Sequence, residues 1–330
     1  MSNSETSTTV QCGLCPKGCL IAPGQSGNCR IRVNIDGQLC AVTYGYPCAL
    51  HLDPVEKKPL FHFLPGTKIL SLATVGCNLH CKQCQNWQIS QCNPEDSRAK
   101  QCPPAKVPRL ARRSKVRSIA YTYTEPCVFY EYTLASAQKA KANGFYNVLV
   151  TAGYINNAPW KELCRHVHAA NIDLKSCRNA FYRDVCGASL RPVLESLVTA
   201  KSMGLVTEVT NLVIPTLNDS EEDLRTMCSW IRRHLGPETP LHFSQFFPSY
   251  KLKHLPPTPK KTLKQARRIG QAEGLQHIYV GNVTMEDAQH TTCPKCGTIL
   301  IERKRYSILS NNLEDGQCPK CGKEIYGKWS

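Results

Sequence analysis

Between Ile69 and residue 285 short apolar runs alternate with helix-length segments, and this alternation restricts the possible folds more than any other feature of the chain. Strands are expected over residues 69–75, 118–123, 146–151, 170–174, 206–214 and 241–247, with a short last one at 278–280. Helices are expected between them, over 127–142, 159–168, 189–203, 221–235 and 259–272. Ser220 followed by three acidic residues predicts an N-cap with a dipole-matched first turn. Asn143-Gly144, Met203-Gly204 and Glu273-Gly274 supply the glycine stops. Strand–helix repeats imply a parallel sheet with right-handed crossovers. Six repeats fall short of a closed eight-unit barrel, so the expectation is an α/β fold built on a partial (β/α)6 TIM-like barrel. Its active residues then belong at the C-terminal ends of the strands.

The residues at those ends carry chemistry. The first strand runs into Gly76-Cys77-Asn78-Leu79-His80-Cys81-Lys82-Gln83-Cys84. Thiolates are the ligands that iron–sulfur clusters select, and three cysteines on a four-iron cube leave one iron open, as catalytic metal sites do. A three-thiolate zinc site, or surplus buried cysteine, is the alternative. The second strand ends in Tyr121-Thr122-Tyr123-Thr124-Glu125-Pro126, and the fourth in Asp173-Leu174-Lys175. Taken singly, Glu125 or Asp173 reads as a helix cap and Lys175 as its surface partner. Taken together they suit a zwitterionic ligand: Glu125 accepts from an ammonium, Lys175 neutralises a carboxylate, and Asp173 accepts from a ribose hydroxyl. Of the ten histidines, His80 and His242 are the best placed.

The Cys77 loop resembles the defining C-x-x-x-C-x-x-C motif of the radical S-adenosylmethionine (radical SAM) superfamily. Tyr-Thr-Tyr-Thr-Glu-Pro looks like the motif that binds the methionine amino group in these enzymes, and Asp173-x-Lys175 is similar to the pair that pyruvate formate-lyase activating enzymes use on SAM. Nearly the whole chain resembles the radical SAM enzyme of the AmmeMemoRadiSam system, a group of pyruvate formate-lyase activating enzyme homologues. The resemblance implies a 4Fe-4S cluster on Cys77, Cys81 and Cys84 as the catalytic centre, with SAM held by Thr124, Glu125, Asp173 and Lys175. It implies reductive cleavage of SAM to a 5′-deoxyadenosyl radical, and hydrogen abstraction from a protein glycine or a small molecule. Its implied partners are a flavodoxin- or ferredoxin-like one-electron donor and a protein substrate or AmmeMemoRadiSam partner proteins. Gln83 departs from the family, which usually has an aromatic adenine contact there, and Thr124 and Ala152 stand where Asn is expected.

Two further cysteine sets flank the barrel. The expected division is a disordered tail over 1–11, a Cys-rich metal-binding module and linker over 12–66, the core barrel over 67–288 and a four-cysteine zinc ribbon over 289–330. Cys12, Cys15, Cys19 and Cys29 lie among Pro and Gly residues that cannot build an apolar core, so a metal supplies the folding energy. Spacing leaves Zn(2+) and an auxiliary iron–sulfur cluster open, with disulfides as the third reading. A hairpin is expected about Asp36-Gly37, and the proline-rich stretch 51–66 is read as an irregular linker. Cys293-Pro-Lys-Cys296-Gly and Cys318-Pro-Lys-Cys321-Gly, with strand-like spacers, give the ribbon and a structural Zn(2+), and Arg303 to Arg305 are offered to a partner.

Twenty cysteines in tight C-x-x-C units, without a secretory signal at the start, favour metal binding in a reducing compartment; the expectation is cytoplasmic. No apolar run approaches the length of a membrane span. The formal charge of +16 falls to roughly +11 once metal-bound thiolates are counted, and the Lys and Arg residues are dispersed. Nucleic acid is therefore not the expected partner. An RNA-modifying or RNA-binding protein and an iron–sulfur electron carrier are the two alternative classes, and a carrier has no use for an amino-acid clamp.

Overall fold

The computed structural model describes residues 8–285 and 287–330. Two small ladders come first: Val10–Gln11 (β1) against Leu20–Ile21 (β2), and Arg32–Ile35 (β3) against Gln38–Ala41 (β4), both antiparallel. The β3–β4 hairpin turns where expected, with Asp36 and Gly37 both in the left-handed region at φ 49° and 81°. The tail expected over 1–11 stops short of its last residues, because Val10 and Gln11 are paired; residues 1–7 lie outside the described residues.

An eight-stranded sheet follows. Ala49–Pro54 (β5) precedes Lys68–Ala73 (β6), the short helices Trp87–Ser90 (α1) and Lys106–Arg113 (α2), Ser118–Tyr121 (β7), Tyr130–Ala142 (α3), Tyr146–Thr151 (β8) and Asn157–Cys164 (α4). Then come Ala169–Asp173 (β9), the single turn Asn179–Phe181 (α5), Arg191–Ser202 (α6), Val206–Val213 (β10), Glu221–Leu235 (α7), Leu241–Gln245 (β11), Lys260–Ala272 (α8) and Ile278–Gly281 (β12). The spatial order runs from β12 to β5 with every neighbour consecutive in the chain; β6 to β12 are parallel, and β5 lies antiparallel on the outside of β6. Six βα units and a seventh parallel strand thus form the central sheet. α2 is the one barrel helix the sequence hides: four of its eight residues are Lys or Arg, and only Val107, Pro108 and Ala111 are buried. The caps are where the sequence puts them. Ser220 accepts from the Asp223 amide at 3.2 Å, and Gly144, Gly204 and Gly274 take φ of 77°, 80° and 86°.

The stretch read as a linker is part of the barrel. β5 pairs along the whole of β6, and residues 55–64 then fill the barrel interior, where Val55, Leu60, Phe63 and Leu64 pack on Ile69, Ala120, Val148 and Ala169. Asn171 Nδ2 donates to the Pro59 carbonyl at 2.8 Å and fixes this plug against β9. Prolines stopped the stretch from reading as regular structure, but a plug needs shape and apolar side chains, not a ladder. Each fully buried side chain of this size contributes about 1.5–3 kcal/mol. With helices outside and a plug inside, β7 and β11 are buried at every position.

The C-terminal segment forms a three-stranded sheet of Thr291–Thr292 (β13), Ile299–Lys304 (β14) and Ser307–Asn311 (β15), over a small core of Cys293, Leu300, Ile301, Cys318 and Ile325. Its last turn docks under the barrel. Tyr326 Oη accepts from the Thr207 amide at 2.8 Å, and Lys328 exchanges backbone bonds with His62 and Leu64 at 2.8 and 2.7 Å. Arg303, expected to be partly exposed, is only 3 % exposed: it lies over the Phe61 ring and donates to the Phe61 carbonyl at 2.7 Å. Among the described residues no helix is long and apolar enough to cross a membrane.

Candidate functional site

In-register pairing brings the strand ends to one level. Tyr121 lies between Leu72 of β6 and Leu149 of β8, Thr151 faces Ile172, and Thr210 faces Asp173 on one side and His242 on the other. The loops leaving these ends enclose a cavity of about 510 Å³ lined by Cys77, Cys81, Cys84, Gln83, Glu125, Asp173, Lys175 and Thr210, among others. The sequence-predicted residues are therefore brought together on the expected face.

The cysteine loop is pinned from two sides. The His80 and Lys82 amides donate to the carbonyls of Cys186 and Val185 at 2.8 and 2.9 Å, which belong to a π-helical turn, Tyr182–Cys186. Such turns leave backbone carbonyls unpaired along the chain and recur at functional sites. On the other side, Ser249 Oγ donates to the Cys84 carbonyl at 3.2 Å, and the Lys251 amide to that of Lys82 at 3.0 Å. Cys77 is pushed well above its ordinary value by burial and by the Glu125 carboxylate. Such thiols become thiolates only when a metal takes the proton's place.

Glu125 is not a free acceptor. Its carboxylate receives the Thr151 hydroxyl, the Ala152 amide at 2.8 Å and the Cys127 amide at 3.1 Å, while burial raises its pKa. One lone-pair site of about four is left for a ligand. The Thr124 hydroxyl is turned to the Thr74 carbonyl at 2.8 Å. Lys175 donates to Asp173 Oδ2 at 2.9 Å; burial alone would lower its pKa, but the Asp173 carboxylate and the Cys81 and Cys186 thiols hold it well above the ordinary value. Gln83 Oε1 and Thr210 Oγ1 line the cavity as buried oxygens that have no hydrogen-bond partner.

Several residues at the site were not singled out in the sequence. Lys57 and Lys58 reach the cavity from the plug and bond Asp53 at 2.9 and 2.6 Å. Burial would raise the Asp53 carboxyl, but hydrogen bonds from Lys57, Lys58 and Tyr123 hold it well below the usual range. The two consecutive lysines in a proline-rich stretch gave no periodic signal. His242 pairs with the buried Glu208 at 2.6 Å, and it lines a second cavity of about 440 Å³ with Glu56, Phe61, Arg305 and Tyr306. His80 is a linking residue, bonded to Gln91 at 2.8 Å and Asn28 at 2.7 Å.

A family model described as the Radical SAM superfamily matches residues 71–228, which hold the cysteine loop, Glu125, Asp173 and Lys175. The chain belongs to the radical SAM superfamily. This radical SAM protein is 46% identical over 318 residues to an uncharacterized protein of Methanocaldococcus jannaschii, covering 96% of this chain and 95% of that one. It is 22% identical over 166 residues to the pyruvate formate-lyase-activating enzyme of Clostridium pasteurianum, covering 48% of this chain and 66% of that one. In fold it is similar to Streptococcus suis SuiB bound to its precursor peptide SuiA, with a TM-score of 0.51, 12% identity, and coverage of 69% of this chain and 51% of that one. Membership implies SAM and a 4Fe-4S cluster as cofactors, and the residues present fit both: three half-buried thiols at one strand end share a cavity with partnerless polar oxygens.

The terminal quartets differ. Cys293, Cys296, Cys318 and Cys321 have all four sulfurs within 4.8 Å of one another, a set able to hold one metal ion. Hydrogen bonds from Thr298 lower Cys296 from its ordinary value to about 6. Cys12, Cys15, Cys19 and Cys29 instead surround a small cavity beside Asn78.

Proposed function

We propose that this protein cleaves SAM reductively at a 4Fe-4S cluster held by Cys77, Cys81 and Cys84, and uses the product radical to take a hydrogen atom from a bound substrate. The observation that carries this reading is the single cavity that unites the three thiols with Glu125, Asp173 and Lys175. When bound, SAM on a reduced cluster supplies a 5′-deoxyadenosyl radical, with methionine as the other fragment. The chain's own residues do the positioning. Lys175 neutralises a carboxylate, the remaining Glu125 lone pair accepts from an ammonium, and Asp173 accepts from a ribose hydroxyl. Gln83 Oε1 offers a hydrogen-bond acceptor to the adenine amino group where the family usually stacks an aromatic ring. The plug closes the cavity from below and keeps water from the reacting centre.

The substrate reading follows from the second cavity. It shares Lys57, Pro59, Gln85, Ser244, Asn282 and Tyr306 with the first, so the two form one chamber. Glu56 Oε2 in its wall is buried without a partner. The likeness to a pyruvate formate-lyase-activating enzyme favours an activating-type oxidoreductase acting on a protein glycine, or an AmmeMemoRadiSam partner, with a flavodoxin- or ferredoxin-like donor in a reducing cytoplasm. At the C-terminal quartet, sulfur pairs 3.6 Å apart fit Zn(2+), whose bond length of about 2.3 Å sets a tetrahedral edge of about 3.8 Å.

The test uses anaerobically reconstituted protein, reduced and given SAM, with 5′-deoxyadenosine as the readout. Formation is expected, and it is expected to vanish in Cys81→Ala. No product from a reducible cluster whose EPR spectrum ignores SAM would overturn the proposal.

A further inference from the structure

The four cysteines nearest the amino end take no part in the reaction proposed above. Cys12, Cys15 and Cys29 are at most 9 % exposed, and together with Cys19 they line one small cavity that Asn78 and Val128 of the barrel also face. All four are free, so no disulfide holds this part of the chain together. Leu14, Ile21 and Ile31 bury in the core of the barrel, but two-residue strands and a few turns give the cysteine loops little structure of their own, and a bound metal would fix them.

Sulfur spacing separates zinc from iron–sulfur. A single zinc ion holds its four sulfurs on a tetrahedron with edges of about 3.8 Å. The ribbon quartet has that geometry. Among the described residues, no three sulfurs of Cys12, Cys15, Cys19 and Cys29 come within 4.8 Å of one another, and neither do those of Cys77, Cys81 and Cys84. A four-iron cube takes one thiolate at each iron corner, so it holds its ligands farther apart than one ion can. The quartet, like the Cys77 loop, lacks the tight packing of the ribbon.

Its position adds a second argument. Gly76, φ +94°, lies so close to the Cys29 carbonyl that a Cβ would come within 2.8 Å of it. Asn78, next to Cys77, lines the quartet's cavity while donating to the Tyr154 carbonyl at 2.8 Å. His80 bonds Asn28 at 2.7 Å. The two cysteine sets stand back to back across one loop.

We propose that Cys12, Cys15, Cys19 and Cys29 bind a second 4Fe-4S cluster, closed by four thiolates, that hands an electron to the cluster at Cys77, Cys81 and Cys84. The step moves one electron and makes or breaks no bond. A reduced flavodoxin- or ferredoxin-like donor is oxidised, the N-terminal cluster is reduced, and it returns to its oxidised level as the site cluster gains the electron. The relay rests on the reading of the main site; the second cluster does not.

Metal content and EPR of the anaerobically reconstituted full chain test it. About eight iron and one zinc per chain are expected, and the reduced protein shows two cluster signals of which only one changes on adding SAM. About four iron with two zinc overturns the proposal. Cys12→Ser with Cys29→Ser is expected to abolish the SAM-insensitive signal and keep the other. Should that variant fail to fold, the triple alanine variant of Cys77, Cys81 and Cys84 reports from the opposite side by retaining about four iron and the SAM-insensitive signal. In the double serine variant, 5′-deoxyadenosine formation driven by reduced flavodoxin is expected to be lost while that driven by dithionite remains; loss under both reductants removes the relay. A wild type that keeps the SAM-insensitive signal but makes no 5′-deoxyadenosine sinks the main-site reading and leaves the second cluster standing.

Discussion

Glu125 holds the site together as much as it serves a ligand. Its carboxylate ties the end of β7 to the turn after β8 through the Thr151 hydroxyl and the Ala152 amide. Glu125→Gln keeps the shape, removes the charge and turns one acceptor into a donor. SAM binding is expected to weaken about tenfold, equivalent to about 1.4 kcal/mol, at unchanged iron content. Isothermal titration on the reconstituted protein would measure this, and an unaltered affinity would assign the carboxylate to the turn alone. The cysteines and Glu125 were legible because ligand spacing and strand ends are local properties of a sequence. Glu125's saturation by Thr151, Ala152 and Cys127 was not, because two of these donors belong to another strand end and become neighbours only through the parallel register. Gln83 and Cys186 met for the same reason: a π-helical turn about a hundred residues away supplies one partner, 3.9 Å from the Gln83 amide.

At the scale of elements, the ribbon is a brace for the barrel and not an appendage. Arg303 donates to Phe61, Thr291 and Gln289, and Tyr326 receives the Thr207 amide of β10 while Lys201 lies 3.7 Å over its ring. Removing the metal proposed at its four cysteines should therefore unsettle the barrel floor. Cys318→Ser is expected to lower the melting temperature of the whole chain in one transition, as calorimetry would show. Loss of the proposed zinc with an unmoved barrel transition would make the ribbon an independent unit. The sequence showed the ribbon's cysteines and its two longer strands, and it showed the βα repeats with their caps. It hid α2 behind four basic residues and hid the role of Arg303, whose burial depends on the Phe61 ring and carbonyl more than two hundred positions earlier.

Across the whole molecule, the barrel floor gathers buried imidazoles. His62 and His277 lie 4.5 Å apart between ring centres; burial lowers His62 well below its ordinary value and brings His277 to about 4. The folded state disfavours the protonated form, while the unfolded chain takes its proton near pH 6.5. Stability therefore rises with pH across this window and is lost as pH falls from about 6.5 to about 4, by roughly 3 kcal/mol for His277 alone. Denaturant titrations at both pH values should show that loss, and His277→Phe should remove its own share. An equal loss in the variant would place the acid sensitivity elsewhere. The plug that these groups surround has a consequence in time. His62 meets Tyr326 across 264 positions of chain, and Phe63 bridges to Lys328. Contacts so distant form late and slowly. During synthesis the plug emerges before every parallel barrel strand and is locked only by the last turn of the ribbon, so a chain paused before Tyr326 leaves the ribosome is an unlatched barrel with exposed apolar surface and has most need of a chaperone.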